Sequence, residues 1–558
     1  MESINCSFDN LRELVDGHYA PRGLLIIVLC VTVLVVLTLH LKAVSEPRAL
    51  ADPIPFIFNT IQFVTDNERF MHRVSKALEK ANSARFYLGW KEVYLLAGPR
   101  NIQTIFGRLH DKIGNEDIMV RSVLPNLYRM SKDEVKRFAD DHSGRGRLPA
   151  PGTENITADQ RYWRAYEHYH TEYLVRTNHL KPMIEFFRCQ FSSALERRYP
   201  VDEWTTISVM DLCRSEITEC AISTLFGPSI FELNPGLLDA FWAFDANLFT
   251  LTLGFPAWLN PRPYRIRDRY YAMIGKYLDA AWSKFDWNGP SAEVFWEPLF
   301  GARVCREIVK WLKDDGFQAE AAAGALGMLL MAQNSNSIPT TMWMIMEITK
   351  DPSLLQAIRD EVATAHKTDL ETGALMIDSD KLVTLPLLQS VFTEVLRMHI
   401  NFNIIRHVKE PIAMKGFVIG KGSMLQVPML VPHYDESVWG VEGHPAKEFW
   451  AGRHLKYVED TDESGSVSRK LAYSMAGRSN SFFPFGGGQF ICPGRHFAKY
   501  EILTTIALVV SKFDIEFIEW TKLDGSPSDR PARNDARYCG AGAMPPDRDM
   551  KIRWKRIS

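Results

Sequence analysis

Hydrophobic and polar positions divide the chain into one unbroken apolar run and a long body of helical periodicity. Residues 24–41 read LLIIVLCVTVLVVLTLHL and carry no charge when His40 is neutral. That length approaches the ~20 residues a helix needs to cross a bilayer. A cleaved leader has an apolar part of only about 7–15 residues, so the run predicts an uncleaved anchor. Farther on, apolar residues recur every three to four positions over 171–198, 209–226, 265–285, 317–349, 353–366 and 384–399, which predicts helices. Short strand-like runs at 85–96, 404–408, 412–418, 423–427 and 549–554 predict a small β part. The expected class is mainly α with a small β part (α+β), preceded by one transmembrane helix. The polar stretches 141–157, 459–480 and 521–535 read as loops.

This gives a tail at 1–22, an anchor at 23–41, a linker at 42–55 stiffened by Pro47, Pro53 and Pro55, and one large domain at 56–558. Arg12 and Arg22 are outnumbered by Glu2, Asp9, Glu13 and Asp16 before the run, whereas Lys42 and Arg48 follow it. The bias predicts a single-pass protein of the endoplasmic reticulum with an outside tail and a cytosolic body. Asn5-Cys6-Ser7 then fits a glycosylation sequon, while Asn155-Ile156-Thr157 faces the cytosol and goes unused. The apolar segment 245–262 leaves two readings open: buried core at a helix junction, or a surface dipping into membrane lipid.

Composition narrows the function. With 46% hydrophobic and 24% charged residues the chain is neither disordered nor fibrous. Sixty-five Lys+Arg against 67 Asp+Glu leave no global field to attract nucleic acid. The eight cysteines contain no C-x-x-C pair, which excludes a zinc ribbon or a thioredoxin-type motif.

One cysteine differs. In Phe482–Tyr500, FFPFGGGQFICPGRHFAKY, three glycines precede Cys492-Pro493-Gly494 and a helical pattern follows. Glycines let backbone approach a flat ligand closely. A cysteine at a helix entrance gains thiolate character from backbone N–H groups and the helix dipole. A phosphate loop is excluded because no Gly-Lys-Ser/Thr follows.

Phe485, Gly488, Cys492 and Gly494 form F-x-x-G-x-x-x-C-x-G, which resembles the haem-binding loop of the cytochrome P-450 family of haem-thiolate monooxygenases. The resemblance implies the fold of that family, haem b with Cys492 as axial iron ligand, and Phe485 packed near the sulfur. It departs at Phe490, where the family has a propionate-binding Arg or His. Glu394-Val395-Leu396-Arg397 matches the family's E-x-x-R, and Phe449–Arg453 its F-x-P-x-R with Ala451 in the proline position. Glu394, Arg397 and Arg453 are thereby implied to form a buried structural triad, and Arg406 a propionate contact. The W-x-x-x-R motif is imperfect: Trp163 is followed by Glu167, with Arg161, Arg164 or His168 as substitutes.

In the long helix Asn336 and Ser337 occupy the places of the family's acid and threonine, and Pro339 is expected to open the helix. This version resembles the branch of sterol 7α- and 12α-hydroxylases, prostacyclin synthase and fungal natural-product enzymes. The implied activity inserts one oxygen atom from O2 into a lipophilic terpenoid, steroid or polyketide-like substrate. Electrons would come from NADPH through a reductase docking at Arg495, His496 and Lys499. Phe402, Ile404, Ile405 and Leu330–Ala332 are candidate pocket walls. A same-fold isomerase or dehydratase, and a non-catalytic haem- or lipid-binding protein, are the alternatives.

Overall fold

The computed structural model describes residues 47–557 except 110, 369–374, 415 and 462–466. The tail, the anchor and Asn5 lie outside the described residues; among those described, no helix is long and apolar enough to cross a membrane. The described end of the linker docks on the body, with the Leu50 amide donating to the Arg85 carbonyl and Arg85 Nε to the Pro47 carbonyl.

The body is mainly helical. Helix α1 (Asn67–Ala81) starts at Asp66, whose carboxylate accepts from the Arg69 amide, and ends at Asn82 in the left-handed region. The predicted run 171–198 is two helices, α2 (Tyr162–Val175) and α3 (Thr177–Arg198), separated where Arg176 turns extended. Then come α4 (Leu237–Asp245), α5 (Pro261–Lys284), the long α6 (Ala319–Thr349), α7 (Pro386–His399) and α8 (Arg495–Lys512). Helix α6 is buried on nearly every side, as its all-round apolar sequence requires. Its Gly324 lets it approach the chain at Tyr128, whose carbonyl a Cβ would meet at 2.1 Å. The run 209–226 is helical but contains a π-helical segment, Cys213–Ile217.

The principal sheet has strands β1 (Ser83–Leu88), β2 (Lys91–Leu96), β3 (Ile400–Val408), β4 (Met424–Pro428) and β5 (Ala541–Ala543), in the order β1-β2-β4-β3-β5, with the short strand Ile113–Gly114 also paired to β3. The β2–β4 pairing is parallel; the others along this path are antiparallel. A three-stranded sheet joins Trp204–Ser208, Asp549–Arg556 and Phe513–Thr521.

Three expectations change. The run 85–96 is a hairpin turning at Gly89, φ 57°. The stretch read as a loop at 459–480 contains the second half of a hairpin, Leu455–Thr461 with Val467–Tyr473. It pairs Glu459 with Arg469, and its charged residues produce no apolar alternation. Helix α6 continues unbroken through Pro339. Proline there removes one backbone donor from the Ser335 carbonyl without opening the helix. The segment 245–262 is mixed: Leu251 is buried, while Phe255, Trp258 and Leu259 are 37%, 82% and 61% exposed.

Candidate active site

The cysteine loop is built by its glycines. Gly486 and Gly488 have φ 75° and 63°, and the Cys492 amide closes the loop by donating to the Phe485 carbonyl at 2.9 Å. A Cβ on Gly487 would meet the Phe106 ring at 2.4 Å, and one on Gly488 the Phe106 carbonyl at 2.5 Å. Phe485 packs on the main core. Cys492 is half-buried just before α8, with Gly494 as its N-terminal cap. Burial pushes the Cys492 thiol up, more than the backbone N–H groups of Gly494 and Arg495 pull it down. A coordinated cation would remove that proton outright.

The expected triad is present, with a fourth member. Both Glu394 oxygens accept from Arg397 at 2.8 Å, and Arg453 Nε donates to Oε1 at 2.7 Å. His454 Nε2 lies 3.2 Å from Oε2. The guanidiniums also cap carbonyls: Arg397 reaches His433 and Ala446, Arg453 reaches His444, Pro445 and Glu448. All four side chains are fully buried. Burial raises Glu394, but the hydrogen bonds from Arg397 and His454 and the two guanidinium charges prevail and bring it down to about 2.

Around Phe490 the charges are arranged differently. The Arg406 guanidinium lies 4.4 Å from the ring and that of Arg145 lies 5.4 Å from it. Arg406 donates only to the adjacent Ile405 carbonyl and forms no ion pair among the described residues. Burial draws it down to about 10. Arg145 contacts Asn115, Glu116 and Glu167 and covers Trp163 at 4.6 Å. Trp163 is buried, and its indole N–H donates to the Phe138 carbonyl. Arg161 instead pins the loop that carries Arg145, through the carbonyls of Gly146, Arg147 and Leu148. Sequence reasoning missed Arg145, whose only signal was its place in a polar loop.

In the middle of α6, Ala332 and Asn336 are exposed, four residues apart and so on one face. The Asn336 carbonyl oxygen accepts from the Ala543 amide of β5 at 2.8 Å. The Ser337 hydroxyl donates to the Gln333 carbonyl at 2.6 Å. Phe402 is 41% exposed, whereas Leu330 and Ile404 are core and Ile405 is half-buried. Of the suggested docking residues, His496 is exposed, Arg495 turns back to the Cys492 carbonyl and Lys499 bonds Gln389.

These contacts form one frame. Asn336 touches β5, which pairs with β3 at Phe402. Four extended residues on, about 13 Å, β3 presents Arg406 against Phe490, two residues before Cys492. The frame fits a flat acidic ligand bound through iron: a half-buried sulfur, a glycine-lined approach, and a half-buried guanidinium with no carboxylate paired to it among the described residues.

A family model described as Cytochrome P450 matches residues 130–529. The chain belongs to the cytochrome P450 family. It is 41% identical to cytochrome P450 monooxygenase calL of Penicillium decumbens over 95% of this chain and 97% of that one. It is 27% identical to cytochrome P450 monooxygenase efuG of Hormonema carpetanum over 92% and 91%. It is 28% identical to cholesterol 7-alpha-monooxygenase of Cricetulus griseus over 63% and 67%. The protein is thus a P450 monooxygenase, an enzyme using haem ligated by cysteine thiolate, electrons from a redox partner and a lipophilic substrate.

Proposed function

We propose that this P450 inserts one oxygen atom into a terpenoid, steroid or polyketide-like intermediate of fungal secondary metabolism, with Cys492 as the iron ligand. The observation that carries this reading is the frame joining the Cys492 loop, through Phe490 and Arg406, to the exposed face of α6. Bound haem supplies the oxygen activation. Arg406, with Arg145 across the Phe490 ring, is placed to hold the propionates that the missing loop arginine would otherwise bind.

The residues of α6 handle the proton. Ser337 has its own proton committed to Gln333, so its oxygen is the free acceptor for a water. The Asn336 carbonyl is held by Ala543, which leaves its amide nitrogen to donate toward the open face. The Ser335 carbonyl, lacking a donor at Pro339, offers a further acceptor. These groups orient water; none is an acid, so the proton itself arrives from solvent through that chain.

Residues 23–41 as an anchor, with Ile54, Ile57, Ile61, Trp258 and Leu259 exposed on the body, suit a protein held at the endoplasmic reticulum and fed from membrane lipid. NADPH would be the electron source, through a reductase meeting the α8 entrance.

Two measurements test this. The reduced, carbon-monoxide-treated protein should show a thiolate-type haem spectrum, and Cys492→Ala should abolish it. A host expressing the chain with a reductase should yield a product heavier by one oxygen. Turnover without reductase would select the isomerase or dehydratase reading instead.

A further inference from the structure

Four phenylalanines lie in the loop that leads to Cys492, and one of them is packed unlike the rest. Phe483 is buried in the main apolar core, and Phe482 and Phe485 pack against that core. Phe490 is half-buried, yet it joins none of the three apolar clusters among the described residues. Its ring takes two cations instead, with the Arg406 guanidinium carbon 4.4 Å and that of Arg145 5.4 Å from the centroid. Together with Arg406, Gly487 and Gly488, the same ring borders the small cavity beside the glycine turn. The two cations are differently provided for. Arg145 donates to Asn115 at 2.9 Å and lies 3.4 Å from Glu116 and 3.5 Å from Glu167. Arg406 has no such carboxylate among the described residues and donates only to the Ile405 carbonyl.

Two like charges brought to one half-buried place repel each other. An aliphatic side chain between them would fill space and leave that repulsion uncompensated. An aromatic ring presents a negative face that attracts a cation within about 6 Å, more strongly where water is excluded. A guanidinium held through its face also keeps its in-plane N–H fork for an anion. We propose that Phe490 is a positioning residue for the haem carboxylates: its ring holds Arg406 and Arg145 where a propionate can reach them. The proposal rests on the haem-thiolate reading above. It adds that the departure from the family pattern at 490 is a replacement, in which a ring that gathers two remote cations takes the place of one local cation. A cation at 490 would then harm the site. It would remove the ring and bring a third positive charge to a place where one guanidinium already lacks a counter-charge.

The test uses the haem-loaded full-length protein and two readings: the rate of haem transfer to an excess of apo-globin, and the midpoint potential of the bound haem. Phe490→Leu keeps apolar volume and removes the ring face. It should speed haem loss about fivefold to thirtyfold, the factor that one or two cation–ring contacts represent. It should also lower the potential, because guanidiniums held near the haem favour the reduced, less positive iron. Phe490→Tyr keeps a ring and should match the wild type in both readings. Phe490→Arg, which carries the residue type of the family, should lose haem faster than the wild type. Should Phe490→Leu not be recovered with haem, Phe490→Met should show the same two changes. Leu and Met variants equal to the wild type in both readings overturn the proposal and leave Phe490 as filler. A Phe490→Arg protein that retains haem better than the wild type overturns it too, since the ring would then mark only a lost cation. A wild type that takes up no haem overturns the haem-thiolate reading, and the role of Phe490 falls with it.

Discussion

Two glutamates lie fully inside this protein and face opposite fates. Glu394 on α7 is surrounded by two guanidiniums and an imidazole, and is held ionised at about 2. Glu501 on α8 has no hydrogen-bond partner for either oxygen among the described residues, and burial alone pushes it up to about 8. One buried carboxyl is a charge that organises three segments of chain; the other is a neutral acid at ordinary pH. The difference shows that burial does not fix the role of an acidic residue. The partners do, and a completed set of partners marks architecture.

The largest effect should come from breaking the completed set. Glu394→Ala leaves two buried guanidiniums without their carboxylate, and should cost about 3–5 kcal/mol, measured as lost soluble haem protein and a lowered denaturation midpoint. Glu501→Gln, equally buried, should fold normally at pH 7.

pH sharpens the same contrast, with opposite signs. Glu394 has a depressed pKa, so its stabilisation is present above the ordinary carboxylate range and is lost as pH falls from about 4.5 toward about 2. Glu501 has a raised pKa, so the folded state holds a proton the unfolded chain releases. Its stabilisation is full below about 4.5 and declines as pH rises toward about 8. Denaturant titrations should show that loss between about pH 4.5 and 8 in the wild type and its absence in Glu501→Gln.

An incomplete set should behave like a binding site. Arg406→Ala should leave the fold intact but weaken haem retention about tenfold to a hundredfold, read by haem transfer to an apo-globin acceptor. Arg406→Lys should recover part of it. The smallest effect on stability belongs to Ser337→Ala, which should leave haem binding unchanged but lower product formed per electron pair supplied about tenfold or more.

Much of this was legible where the chemistry is local. The Cys492 loop announces itself through glycines within a few residues, and Glu394 and Arg397 share a helix turn. Arg453 was legible only through the family pattern, and its neighbour His454 was passed over because a lone histidine carries no spacing signal. Arg145 was invisible for a stronger reason. Its partner Phe490 is joined to it only by tertiary packing, which no periodicity encodes. The open helix expected at Pro339 failed because the absence of one donor is a smaller perturbation than the packing that surrounds α6.

The bond from the Ala543 amide to Asn336 has an evolutionary consequence. A backbone N–H is supplied by every residue except proline, so the side chain at 543 is free to change while Asn336 keeps its orientation. Only Gly542 is constrained, since a Cβ there would meet the Asn336 oxygen at 2.6 Å. The edge strand β5 can therefore reshape the wall beside Asn336 without disturbing it, and selectivity can drift among descendants while the orientation of Asn336 is inherited unchanged.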